Sequence, residues 1–162
     1  MQINNPSLVV SELQSVPFDE VMLECSYAWL NDPVIQKMVN SQPVTHASQR
    51  EWFSSLHERT NLLIRGIHYL GNPIGVFGLK NIAEREGEYW GYIGNKSYWG
   101  QGIGKWMMTT AIHLAKEHGV EKIYLKVLSE NSRALNLYLQ FGFKPVQNLT
   151  VKGGLQILEK YL

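Results

Sequence analysis

Cysteine occurs once in these 162 residues, at Cys25. An intramolecular disulfide is therefore impossible, and a cysteine-built zinc site is set aside. No apolar run approaches the roughly 20 residues that a membrane-spanning helix needs. Neither sign of charge is in surplus: 15 Lys and Arg stand against 14 Asp and Glu, a formal net charge of +1. The basic residues are scattered singly, which argues against nucleic acid as a partner. The opening MQINNPSLVV lacks a basic start followed by a long apolar core, so no signal peptide is read there. No repeat, low-complexity tract or Pro/Gly/Ser-rich linker divides the chain. One domain over residues 1–162 is expected, in a cytoplasmic protein with no metal.

What is present is an alternation of helical and extended patterns. SLVVSELQ (Ser7–Gln14) reads as a first strand. Asp19 to Leu30 reads as a helix, with Val21, Leu23, Ala28 and Leu30 among polar positions, and NDP at Asn31–Pro33 ends it. Ser48 is expected to cap a second helix through Trp52, Phe53 and Leu56. LLIRGIHYL and IGVFGLKNI form a hairpin about a turn at Gly71-Asn72-Pro73, and GEYWGYIG is a further strand. From Ile103 to His118 apolar residues recur at helical spacing, and Gly119 ends the run. EKIYLKVL alternates as a strand, Asn131–Gln140 is a short helix ended by Gly142, and the tail is extended. This order predicts a mixed α/β domain with a parallel crossover between Glu88 and Leu128.

The most informative stretch is YWGQGIGKWMM. Gly100, Gly102 and Gly104 alternate between the end of a strand and the start of a helix. A helix N-terminus presents unpaired N–H groups and the positive end of its dipole, and glycine lets an anion reach them. The spacing is not that of a P-loop, because Lys105 is followed by Trp106 and position 99 is Trp99 rather than glycine. Nor is it the dinucleotide fingerprint, since Lys105 stands where the third glycine belongs.

YWGQGIGKW resembles the pyrophosphate loop of the GNAT superfamily of N-acetyltransferases, [QR]-x-x-G-x-[GA], with Gly102 and Gly104 on its glycines and Trp99 at the Gln/Arg position. KVLSENSRALNLYLQFGFKPV resembles that family's later segment, with Asn131 and Tyr138 at its asparagine and tyrosine. The resemblance implies a central, mixed, splayed and twisted sheet of about six to seven strands flanked by about four helices. It implies acetyl-CoA as donor, its pyrophosphate held by Gln101, Gly102, Ile103, Gly104 and Lys105. It implies a pantetheine arm along Ile93, Gly94 and Asn95, where one N–H polarises the thioester, and contact of Asn131 with the CoA arm. Tyr138 is implied as the general acid that protonates the departing thiolate.

Each residue also has a structural reading. Tyr138 can pack between Leu135 and Phe141, Asn131 can simply cap its helix, and the glycines can serve close packing. For the base, Glu88 is the nearest carboxylate on the strand, with Tyr92 and Asn81 as water relays and His46 and His68 as further candidates. Cys25 is a poor nucleophile for a covalent route.

The N-terminal half is similar to GNAT enzymes that acetylate the 4-amino group of nucleotide-linked amino sugars, of the pseudaminic acid pathway type. That resemblance implies a UDP-amino sugar as substrate, with Arg50, Lys80 and Arg85 as candidates for its charge and Trp90 and Trp99 for stacking. WLNDP also occurs in ribosomal-protein N-terminal acetyltransferases, the alternative, and a non-catalytic acetyl-CoA sensor is the third. Oligomeric state is left open, a homodimer being one alternative.

Overall fold

The computed structural model describes residues 7–151 and 154–162; the first six residues of the leader reading lie outside it. Seven strands form one sheet, in the order β1-β2-β3-β4-β5-β7-β6. In chain order the elements are β1 (Leu13–Pro17), α1 (Glu20–Leu30), α2 (Pro33–Val39), α3 (His46–Ser55), β2 (Leu63–Tyr69), β3 (Asn72–Ala83) and β4 (Glu86–Ile93). They continue with α4 (Ile103–Glu117), β5 (Lys122–Leu128), α5 (Ser132–Gln140), β6 (Lys144–Val151) and β7 (Leu155–Tyr161). The expected mixed sheet is present with seven strands and five helices, one helix more than anticipated. By contact density the chain comprises two compact units, each described in turn.

The first unit is drawn from Met1–Glu58, Ile64–Phe77 and Gly91–Trp106. The predicted strand at Ser7–Gln14 begins later, at Leu13, after a 3-10 turn over Val10–Glu12. Val9 and Val10 stay exposed, so β-branched character without a buried face did not make a strand there. β1 pairs antiparallel with β2, Leu13 opposite Tyr69 and Pro17 opposite Arg65.

Asp19 caps α1 by accepting from the Met22 N–H at 2.9 Å. Met22, Leu23 and Ser26 are its buried residues, while Val21 is exposed. NDP ends α1 at Leu30 as expected, but helical structure does not stop there, because the same residues open α2. Asp32 caps α2 through the Val34 and Ile35 amides, and Pro33 occupies the first helical position, where a missing N–H costs nothing. Ser48 does not cap α3; Thr45 does, and Ser48 is the reciprocal half of the capping box. The turn between β2 and β3 falls on Leu70 and Gly71, both at positive φ. That is the I′ geometry, which Pro73 with its locked negative φ cannot enter.

The second unit is drawn from Arg59–Leu63, Gly78–Trp90 and Met107–Leu162. Its core includes Leu79, Met108, Ala111, Ala115, Ile123, Leu125, Phe143 and Leu158, all essentially inaccessible to solvent. α4 ends as predicted at Gly119, at φ +73. The Gly119 N–H bonds Lys116 O and the Val120 N–H bonds Ala115 O, the double closure of a Schellman motif. β4 and β5 run parallel, as the crossover predicts, but their ladder covers only Glu86–Glu88 against Lys122–Tyr124. Both strands continue past the last rung, so the sheet parts there. β5 pairs along its full length with β7.

A methyl group at Gly94 would stand 1.9 Å from Cδ2 of the Trp29 indole. Gly94→Ala is therefore expected to destabilise the protein by about 3 kcal/mol, measured by urea unfolding. In a double-mutant cycle with Trp29→Ala, the combined loss should be clearly smaller than the sum.

Candidate active site

In the first unit, β4 ends in a bulge. The Gly94 and Asn95 N–H groups both donate to Ile74 O, at 2.8 and 3.1 Å; two successive donors on one acceptor mark an extra residue in the strand. The absent Cβ at Gly94 makes room for Trp29, whose ring also meets Tyr92 edge-on at 6.3 Å. Burial pushes the Tyr92 phenol well above its usual range, and its ring belongs to the core.

The bulge narrows what this strand end offers a ligand. The Gly94 and Asn95 amides are committed to Ile74, and the Ile93 carbonyl accepts from Trp99 Nε1 at 2.8 Å. Strand alternation then turns the Ile93 N–H away from β3. Trp99 fills the position of the family's Gln/Arg, and its indole ties the loop back to the strand.

Further contacts fasten the same loop. Asn95 Oδ1 accepts from Ser97 N at 3.1 Å, Gln101 Nε2 donates to Ser97 O at 3.0 Å, and the Tyr98 ring meets Tyr69 edge-on. Lys96 Nζ lies 2.6 Å from Asp32 Oδ2, and its hydrogen bond holds that carboxyl below the usual carboxylate range. Gly100 and Gly102 take φ of +79 and +82. A Cβ at Gly102 would meet nothing within 4 Å, so backbone conformation rather than crowding calls for glycine there. Gly104 sits inside α4 and supplies no such turn. Gln101, Gly102, Ile103, Gly104 and Lys105 thus run in sequence around the turn into the first turn of α4.

The second unit holds Tyr138, Asn131 and Glu88. Asn131 caps α5, its Oδ1 accepting from Ala134 N at 3.2 Å. Tyr138, two turns further along, packs edge-on to Tyr89 at 6.2 Å and against Phe143. Burial in this aromatic cluster pushes its phenol up to about 12, so at neutral pH it carries its proton.

Glu88 is 5% exposed and fully engaged. Asn81 Nδ2 donates to its Oε2 at 2.9 Å, and the Lys80 and Lys126 ammonium groups each lie 3.9 Å from its Oε1. Tyr124 lies directly across the ladder from it; burial first, and then the charges of Glu88 and Glu86, raise that phenol. Two positions along β4 on the same face, Trp90 has a buried Nε1 without a hydrogen-bond partner. Sequence reasoning named Glu88, Asn81 and Lys80 but missed Lys126 and Tyr124. Their alternation in KIYLKVL places them on one face, yet only the strand register sets that face beside Glu88.

Other candidates have local partners. Arg85 pairs with Glu121 at 2.6 Å, and Arg50 lies 3.6 Å from Glu24. His46 stacks on Tyr27 at 3.6 Å, and His68 sits in β2 opposite Gln14. Cys25 has its thiol raised by burial, then by Asp19 and Glu24, the wrong direction for a nucleophile.

The profile of the acetyltransferase (GNAT) family matches residues 25–143, and the chain belongs to that family. A spermine/spermidine N(1)-acetyltransferase of Bacillus subtilis is 32% identical over 87 residues, 49% of this chain and 57% of that protein. Matches to curated relatives span from 26% to 57% of those proteins' lengths. Among solved structures, spermidine N-acetyltransferase from Vibrio cholerae, in complex with CoA and spermine, superposes with a TM-score of 0.81 at 20% identity, covering 93% of this chain and 96% of that one. Campylobacter jejuni N-acetyltransferase PseH superposes at 0.69 with 18% identity, covering 92% and 96%. At these identities the superpositions establish the fold. Among the described residues no group of three or more His, Cys, Asp or Glu could hold a metal ion, and no helix is long and apolar enough to cross a membrane.

The raised Tyr138 phenol has a measurable consequence. Its unfolded form ionises near 10 and its folded form near 12, so the stabilisation is complete below pH 10 and is lost as pH rises towards 12. That loss should amount to about 3 kcal/mol. Denaturant unfolding between pH 9 and 12 should show a shallower decline in Tyr138→Phe than in the parent protein.

Proposed function

We propose that the chain is an acetyl-CoA-dependent N-acetyltransferase, a single catalytic domain over residues 1–162 working in the cytoplasm. Its proposed acceptor is the 4-amino group of a nucleotide-linked amino sugar. The observation that carries the activity is the tightly fastened glycine turn that joins a bulged strand end to the first turn of α4. In this reading the amides from Gln101 to Lys105 take the pyrophosphate of CoA, and Asn131 contacts its arm. The Ile93 N–H, rather than those of Gly94 and Asn95, polarises the thioester carbonyl.

Transfer is direct. The lone pair of the neutral amine forms the C–N bond, the oxyanion collapses, and the C–S bond breaks. Tyr138, protonated at neutral pH, gives its proton to the thiolate as the C–S bond breaks; burial makes it a weaker acid than a free phenol, so the transfer depends on hydrogen-bond reach to the sulfur. The amine's proton passes to water or to Glu88, the buried carboxylate of β4. A polyamine acceptor is the second reading, favoured by the Bacillus subtilis relative.

The test follows CoA thiol release from acetyl-CoA over a panel of amines. Tyr138→Phe is expected to lower kcat by about 10²- to 10⁴-fold while acetyl-CoA affinity is little changed. Undiminished turnover would remove the acid role, and failure of acetyl-CoA to bind would overturn the activity itself.

A further inference from the structure

The surroundings of Glu88 carry more positive charge than the carboxylate needs. One buried carboxylate requires one cation, and here Asn81 already donates to Oε2 while two ammonium groups face Oε1, each at 3.9 Å. One positive charge is left over. It lies at the surface, since the Lys80 and Lys126 side chains are 46% and 43% exposed. Both ammonium groups approach a single oxygen, so they stand close enough together to be bridged by one phosphate or carboxylate. Glu88 also occupies the last rung of the β4–β5 ladder, so the lysine pair borders the opening where the strands part. Trp90, the next residue on that face of β4, holds a buried indole N–H with no partner. An unpaired buried donor is costly to keep.

From this juxtaposition we infer that Lys80 and Lys126 form an anion subsite for the acceptor, anchored by Glu88 and Asn81 and flanked by Trp90. The acceptor would then be an amine that also carries a phosphate or carboxylate. The inference rests on the acetyltransferase reading and sharpens it, because a polycation would meet two ammonium groups competing for the one carboxylate. Electrostatics here selects among amines rather than accelerating the chemistry.

The experiment compares a UDP-linked 4-amino sugar, the corresponding sugar 1-phosphate, the free amino sugar and spermine as acceptors. The phosphorylated acceptors should exceed the free sugar at least about tenfold in kcat/KM. The Lys80→Gln/Lys126→Gln protein should raise KM for the phosphorylated acceptors by a similar factor, with kcat and the acetyl-CoA dissociation constant little changed. Lys80→Arg/Lys126→Arg should restore most of that affinity, a rescue that a purely structural role for the lysines would not produce. If no acceptor turns over, calorimetric binding of the sugar 1-phosphate to the acetyl-CoA complex decides: binding lost in the glutamine protein supports the subsite, and its absence from the parent protein overturns it. Equal rates for phosphorylated and free sugar, or a preference for spermine, would sink the subsite and leave the acetyltransferase reading intact. Failure to bind acetyl-CoA would instead strike that reading.

Discussion

The indole of Trp29 lies where the side chain of residue 94 would otherwise be, and much of the first unit is arranged around that contact. Because residue 94 is glycine, helix α1 seats its tryptophan directly against the end of β4. The backbone there spends two successive amides on Ile74 O, and the following residues leave the strand as a loop held by Trp99, Asn95 and Lys96. The glycine turn and the start of α4 come next. A residue with a Cβ at position 94 would displace the tryptophan, and with it the strand end from which the loop departs. Glycine at this position thus answers to packing, whereas Gly102 a few residues on answers to backbone conformation.

The parts of the fold readable in advance were those decided within a few residues. The start of α1, the Schellman closure of α4 at Gly119 and the Asn131 cap of α5 all depend on side chains and backbone within one helical turn. Errors arose where a local signal has two equivalent interpretations. A capping box contains two candidate caps three residues apart, and Ser48 was read where Thr45 does the capping. Proline stops one helix and starts another with equal facility, and Asn31–Pro33 does both, ending α1 at Leu30 and opening α2. The glycine turn was legible because positive φ leaves a compositional trace. Which β3 carbonyl takes the Gly94 and Asn95 amides was not, since that depends on the register of the two strands.

Charge was harder still to read. Glu88, Lys80 and Lys126 are spread over 47 positions of sequence, and nothing in composition or spacing joins them. Their meeting is a product of register: Glu88 faces Tyr124 across the parallel ladder, while Asn81, at φ +53, lets two residues of β3 approach the same carboxylate. A buried acid in this family invites the role of base. Its neighbours here also make it the counter-ion of a basic pair, so its contribution is read from its surroundings as well as from its residue type.

The separation in sequence between β1 and β2 bears on the order in which the sheet assembles. β2, β3 and β4 are joined by two-residue turns, and hairpins of that kind close on a timescale of about 1–10 µs. β1 reaches its place only by bonds such as Arg65 Nε to Ser15 Oγ, made across 50 residues that include all three N-terminal helices. Closing so long a loop costs entropy before any contact repays it. During synthesis β1 emerges first yet has no edge to join until β2 follows, so the first strand made should be among the last to dock, with α1 to α3 spanning the wait.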